Sequence, residues 1–116
     1  MRDYKKLIVW QKSYSFGLHI YTITKKFPKE ESYSLTSQLK RSSTSIALNI
    51  AEGSNRSTEK DFRSFLYTAY GSGAETEVSL LYAKDLGYIS EKDYMILEKE
   101  LSEIMKMLNS FISKLL

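Results

Sequence analysis

A chain of 116 residues, 42% hydrophobic and 27% charged with 5 Gly and 1 Pro, has the make-up of one globular domain over residues 1–116, not of a disordered, collagenous or disulfide-stapled chain. The absence of Cys removes disulfides, thiolate metal sites and cysteine nucleophiles, and a single His argues against a histidine-built metal or acid–base centre. Net charge is +3, with 11 Lys and Arg against 5 Asp and Glu in residues 1–60 but 6 against 9 in residues 61–116; this fits a basic surface for an anionic polymer, and equally fits docking of one half on the other or on a neighbouring subunit.

The first apolar run, Leu7-Ile8-Val9-Trp10, is too short for a signal-peptide core, and no stretch approaches the roughly 20 apolar residues of a membrane span. The chain reads as cytoplasmic, with no membrane partner. Apolar residues then recur every three or four positions with no clean alternation, which predicts helices throughout. A first helix is expected from about Leu7 to Lys26, with Leu7, Trp10, Tyr14, Leu18 and Tyr21 on its apolar stripe. Lys25 and Lys26 lie where cations complement the helix dipole, and Phe27-Pro28 ends the segment.

A second helix is expected from near Ser32–Ser34 to Gly53, burying Leu35, Leu39, Ile46 and Ile50, with Gly53 in a left-handed C-terminal cap. Ser42, Ser43, Thr44 and Ser45 are indifferent helix formers, so their place inside it points to a closely approaching neighbour or a polar binding surface. A third helix opens at Thr58, with Asp61 three residues on as in a capping box. Phe62, Leu66, Ala69, Gly73, Thr76, Leu80, Ala83 and Gly87 follow at steps of 4, 3, 4, 3, 4, 3 and 4, a heptad-like seam. Gly71 and Gly73 each cost about 1 kcal/mol against Ala in a helix, a cost that close packing offsets. Gly71-Ser72-Gly73 is not a phosphate loop, because no Lys-Ser or Lys-Thr follows it.

Gly87-Tyr88-Ile89 closes this helix, and Ser90 with Asp93 starts a fourth that carries Leu97, Leu101, Ile104, Leu108, Phe111 and Leu115. Four helices on short connections make an all-α, antiparallel up-and-down four-helix bundle the economical fold. The chain also holds 15 large aromatic rings, and Phe16, Phe65, Tyr67, Tyr70 and Tyr82 lie off the predicted stripes. That surplus predicts a second buried surface and hence a homo-oligomer.

Catalytic constellations are missing from the sequence. No Glu-x-x-His pair occurs, no Gly-x-Ser-x-Gly elbow occurs, and His19 reads as a partly buried or surface histidine rather than a ligand. We therefore expect no enzyme, no cofactor and no metal. The densest unusual segment is Gln38–Arg56. There Asn49, Glu52 and Arg56 are placed to converge on the end of the second helix, Glu52 pairing with Arg56 and Asn49 satisfying loose backbone groups. The functional alternative is an anion site in which Lys40, Arg41 and Arg56 donate to phosphate.

Several motifs together carry a resemblance. They are Val9-Trp10-Gln11-Lys12, Phe27-Pro28-Lys29-Glu30-Glu31 with Leu35-Thr36-Ser37-Gln38-Leu39-Lys40-Arg41, Ser45-Ile46-Ala47-Leu48-Asn49-Ile50-Ala51-Glu52-Gly53 with Arg56, and Gly71-Ser72 with Glu75. The chain resembles the bacterial four-helix-bundle family of proteins encoded in intervening sequences of 23S ribosomal RNA genes, related to the accessory variability protein of diversity-generating retroelements. The resemblance implies a ring-like homopentamer without established enzymatic activity. In the retroelement branch the pentamer is a basic barrel that associates with reverse transcriptase and nucleic acid; this chain departs from it in its modest net charge and acidic second half. Trp10, Pro28, Gln38, Asn49, Glu52, Gly53, Gly71 and Glu75 are read as structural members of the family pattern.

The leading expectation is a non-enzymatic oligomeric bundle whose basic first half contacts RNA or DNA phosphates through Lys5, Lys6, Lys12, Lys25, Lys26, Lys29, Lys40, Arg41 and Arg56. The alternative is a structural module whose ring presents its surface to a protein partner.

Overall fold

One buried side per segment, repeated four times and joined by short turns, leaves little freedom in how the chain closes. The computed structural model describes residues 2–115. It contains α1 (Ile8–Thr24), α2 (Leu35–Ser54), α3 (Glu59–Asp85) and α4 (Glu91–Lys114), with short 3-10 turns at Tyr4–Lys6 and Lys29–Glu31. Each helix packs on its two neighbours in the order α1, α2, α3, α4 and back to α1. This is the up-and-down four-helix bundle, a rod of 43 × 24 × 20 Å.

The predicted seams of α3 and α4 form the core. Phe62, Leu66, Ala69, Leu80 and Ala83 of α3 meet Leu97, Leu101, Ile104 and Leu108 of α4, all nearly inaccessible to water. Thr58 and Ser90 cap these helices, each hydroxyl oxygen accepting the N–H of the residue three positions on, Asp61 at 3.1 Å and Asp93 at 3.0 Å. At the far end of α3, Gly87 adopts φ +80°, the left-handed conformation that suits glycine. The Tyr88 N–H then reaches the Ala83 carbonyl at 2.9 Å and the Gly87 N–H that of Lys84 at 3.0 Å, a Schellman closure.

Several expectations are corrected. On α1 the buried stripe is Val9, Ser13, Phe16, Gly17, Ile20 and Ile23, whereas Tyr14, Leu18 and Tyr21 are exposed and Leu7 and Trp10 half-buried. Phe16 therefore belongs to the core and not to a second surface. The physical reason is that purely apolar side chains fill the core without the partner a tyrosine hydroxyl demands. Ser13 satisfies itself by donating to the Val9 carbonyl at 2.7 Å.

Gly53 is helical and buried, not a left-handed cap, and α2 continues to Ser54. A methyl group on it would stand 2.7 Å from Phe65 Cβ and 2.8 Å from Phe62 Cδ1, so the glycine is there to let the start of α3 approach. Asn49 turns back along α2, donating to the Ser45 carbonyl at 2.8 Å and to its hydroxyl at 2.9 Å, instead of serving the helix end. Gly73 is buried under Met105, which occupies the space of a side chain there, but Gly71 faces open space and has no packing to offset its cost.

The serine-rich centre of α2 lies against α3, the close neighbour that its composition calls for. Thr76 donates to Ser42 at 2.8 Å, and Ser45 bonds Ser72 at 2.9 Å. Small hydroxyl residues thus join two helices at short range, and no buried side-chain polar atom among the described residues lacks a partner.

Candidate nucleic-acid interface

Alternating helix directions sort the chain into two poles. The N-terminal turn, the α2–α3 corner and the end of α4 share one pole; the α1–α2 connection and the α3–α4 corner share the other. The 17 residues of α1 alone separate them by about 25 Å.

The nine basic candidates are consequently dispersed. Lys5 and Lys6 are exposed on the first pole, whereas Lys25, Lys26 and Lys29 are exposed on the opposite one. Lys12, in the second turn of α1, is paired with Glu103 of α4. Lys40 sits with its ammonium 4.9 Å from the centre of the Tyr21 ring, and Arg41 lies 3.7 Å from Glu75. Arg56 is on the first pole, but its guanidinium donates to Glu52 at 2.8 Å and covers the Phe65 ring at 4.7 Å, the corner pairing expected for it. Lys40, Arg41 and Arg56 therefore do not form a common anion site: α2 holds Arg56 about four turns from the other two.

The first pole gathers further cations. Arg2 pairs with Glu59 at 3.5 Å and its main-chain N–H meets the Ser54 carbonyl at 3.2 Å, while Arg63 donates to the Leu115 carbonyl at 2.8 Å and so caps α4. Lys60, Lys106 and Lys114 stand there as well and, like Lys5 and Lys6, take part in no ion pair among the described residues. Lys6, Lys106 and Lys114 border an open trough of about 610 Å³ between the start of α1 and the second half of α4. Lys106 and Lys114 escape a sum over the second half of the chain. The acids of α4, Glu91, Asp93, Glu98, Glu100 and Glu103, all precede residue 104, and the last 13 residues carry two lysines and no acid. A shorter charge window exposes that signal.

Farther along the same α1–α4 groove lies a cleft of about 320 Å³, in which Gln11, Lys12, Ser15, His19, Glu100 and Glu103 surround Phe16 and Ile104. His19 is partly buried, with Nδ1 3.0 Å from the Glu100 carboxylate. The hydrogen bond from Lys12, followed by its charge, holds Glu103 below the ordinary carboxylate range. Among the described residues no group of three His, Cys, Asp or Glu is arranged to hold a metal ion, and no helix is long and apolar enough to cross a membrane.

Besides the trough, two broad apolar faces stand exposed. Tyr14, Leu18, Tyr21 and Leu48 form one over α1 and α2, beside Trp10, which is stacked on Tyr14 at 5.2 Å and met edge-on by Tyr4 at 5.0 Å. Tyr67, Tyr70, Val78, Leu81 and Tyr82 form the other on α3, where Gly71, Gln38 and Glu75 line a shallow hollow. Of the five aromatics off the predicted stripes, Tyr67, Tyr70 and Tyr82 lie on the α3 face, whereas Phe16 is in the core and Phe65 is covered by Arg56. Of the remaining pattern residues, Pro28 leads the 3-10 turn after α1, its carbonyl accepting the Glu31 N–H at 3.0 Å.

Residues 5–110 match the family model for the 23S rRNA-intervening sequence protein. Among solved structures, the chain is similar to the crystal structure of a protein with unknown function from the S23 ribosomal protein family of Bacteroides thetaiotaomicron. The two are 30% identical, with a TM-score of 0.85, over 90% of this chain and 98% of that one. No curated protein matches the chain. A family match that runs through all four helices, joined to the same fold in a solved relative, leads to one conclusion: the chain belongs to the 23S rRNA-intervening sequence protein family.

Proposed function

We propose that the protein is a non-enzymatic, self-associating bundle of the bacterial cytoplasm that contacts RNA or DNA phosphates through its basic pole. The observation that carries the reading is the gathering of Lys5, Lys6, Lys60, Lys106 and Lys114 at one end of the rod without carboxylate partners among the described residues. An amine without a fixed counter-ion is available to replace a counter-ion on a phosphate. Lys12, Arg41 and Arg56 are engaged with carboxylates and contribute less. The two apolar faces support self-association, and the family resemblance sets the expected assembly at a homopentamer. A ring whose protomers stand parallel to its axis gathers the basic poles on one rim.

The test is a fluorescence-anisotropy titration against labelled RNA and DNA at about 50 and 200 mM salt, where phosphate-driven binding changes steeply. Replacing Lys5 and Lys6 with Ala should flatten the salt dependence, and replacing Lys25, Lys26 and Lys29 at the opposite pole should leave it unchanged. Absence of binding at the lower salt overturns the reading. The exposed α3 face would then favour the second one, a scaffold for a protein partner.

A further inference from the structure

We infer that the trough between the start of α1 and the second half of α4 seats an unpaired base of a single-stranded nucleic acid, with Lys6, Lys106 and Lys114 on the flanking phosphates. The inference rests on the polyanion reading above and narrows it from any nucleic acid to single strands.

The trough joins an apolar lining to a border of lysines. Its apolar lining is built from Leu7, Ile8, Val9, Met107 and Phe111, and among the described residues it is bordered by three lysines and no carboxylate. Ile8 is 58% exposed although Val9 beside it is 3% exposed, so apolar surface is left in water at the mouth of the trough. Phe111 is held edge-on by Phe62, with ring centres 5.2 Å apart, and remains half-buried.

The charges determine which occupant suits this floor. Lys106 and Lys114 are eight residues apart on α4, about 12 Å along the axis, and Lys6 faces them from the other wall. Separated amines call for a ligand with repeated negative charges; a single anionic head group would satisfy one of them. The apolar floor between them calls for a flat, polarizable group between those charges, and methionine sulfur and phenylalanine are favourable neighbours for an aromatic ring. A single strand offers phosphates and free base faces in alternation. A duplex has its base faces stacked inside and would engage the lysines alone.

The experiment uses the purified full chain with a labelled 20-nucleotide single strand and a labelled duplex of equal length, with a glutamate-rich amphipathic peptide as competitor. The single strand is expected to bind on the order of tenfold more tightly than the duplex. Ile8→Ser, at an exposed position, and Met107→Gln should each remove that preference while leaving duplex binding and its salt slope intact, and Met107→Leu should retain it. Lys106→Ala with Lys114→Ala should lower the single-strand salt slope by about 1.4, two phosphates' worth. Circular dichroism melts confirm that each variant is folded. Equal affinity for strand and duplex, or a folded floor variant that keeps the preference, overturns the trough assignment and leaves the basic pole standing. A peptide that outcompetes the strand also overturns it, in favour of an acidic protein partner. Loss of binding to both nucleic acids at low salt overturns the pole and the trough together.

Discussion

Gly53 and Gly71 both belong to the family pattern but answer to different surroundings. At Gly53 an added methyl group would press on Phe62 and Phe65 and come within 3.2 Å of a backbone carbonyl that cannot swing away. Gly53→Ala should therefore destabilise the fold by about 1–3 kcal/mol, the usual range for overpacking. At Gly71 nothing lies within 4 Å, so Gly71→Ala should stabilise an isolated protomer by about 0.5–1 kcal/mol. Urea denaturation of the two variants measures both signs, and a gain at Gly71 that turns into a loss in the assembled protein would place that glycine against a second copy. Glu103 supplies a pH test at the same scale. Its carboxyl is held low chiefly by the Lys12 hydrogen bond, so the native state releases this proton more readily than the unfolded chain. The resulting stabilisation is present above the ordinary carboxylate range and is lost as pH falls through the lowered value. Carboxylate NMR should show Glu103 titrating at lower pH in the wild type than in Lys12→Met.

Helix by helix, legibility followed how regularly one seam runs. On α3 and α4 a heptad-like seam runs the length of the helix and Thr58 and Ser90 spell out the caps, so the buried side is the one read from the sequence, although α3 carries a second, exposed apolar stripe and its Gly71 packs against nothing. On α1 two stripes compete at the same period, and the aromatic one drew the assignment although the one containing Ser13 and Gly17 is buried. Periodicity locates an amphipathic helix, but it does not say which of two apolar faces turns inward. The hydroxyl run of α2 was legible as a contact and illegible in its partners, because Ser42 and Thr76 are 34 residues apart and nothing local links them. That contact can be tested directly. Thr76→Val leaves the Ser42 hydroxyl buried without this partner and should cost about 1–3 kcal/mol, and adding Ser42→Ala should recover part of it. A double-mutant cycle in urea reads the difference; strict additivity would mean that the two hydroxyls do not depend on each other.

For the whole molecule, the candidate site was the least legible feature. A list of basic residues says nothing of which pole each will occupy, and the up-and-down topology sends Lys5 and Lys29 to opposite ends while bringing Lys6 and Lys114 to one trough. Ion pairing across helices then withdraws Lys12 and Arg41, whose partners Glu103 and Glu75 are remote in sequence. The two exposed apolar faces make a prediction about assembly. Separate faces on one protomer suit a head-to-tail contact, and repetition of such a contact closes a ring when the rotation permits. Leu48→Asp and Val78→Asp should each be monomeric alone, and mixing the two variants should yield a one-to-one dimer, each supplying the face the other lacks. Native mass spectrometry reads the outcome: a homodimer of either variant alone would point to a face that pairs with itself, and a mixture that stays monomeric would overturn the head-to-tail contact.

Trp10 is the only tryptophan in the chain, and it stands beside the α1–α2 apolar face, half-buried between Tyr4 and Tyr14. The protein accordingly carries an intrinsic optical probe at the place where coverage would occur. Its emission should move to shorter wavelength when another surface excludes water from that face, so dilution alone, with no dye attached, can follow the approach of a neighbour.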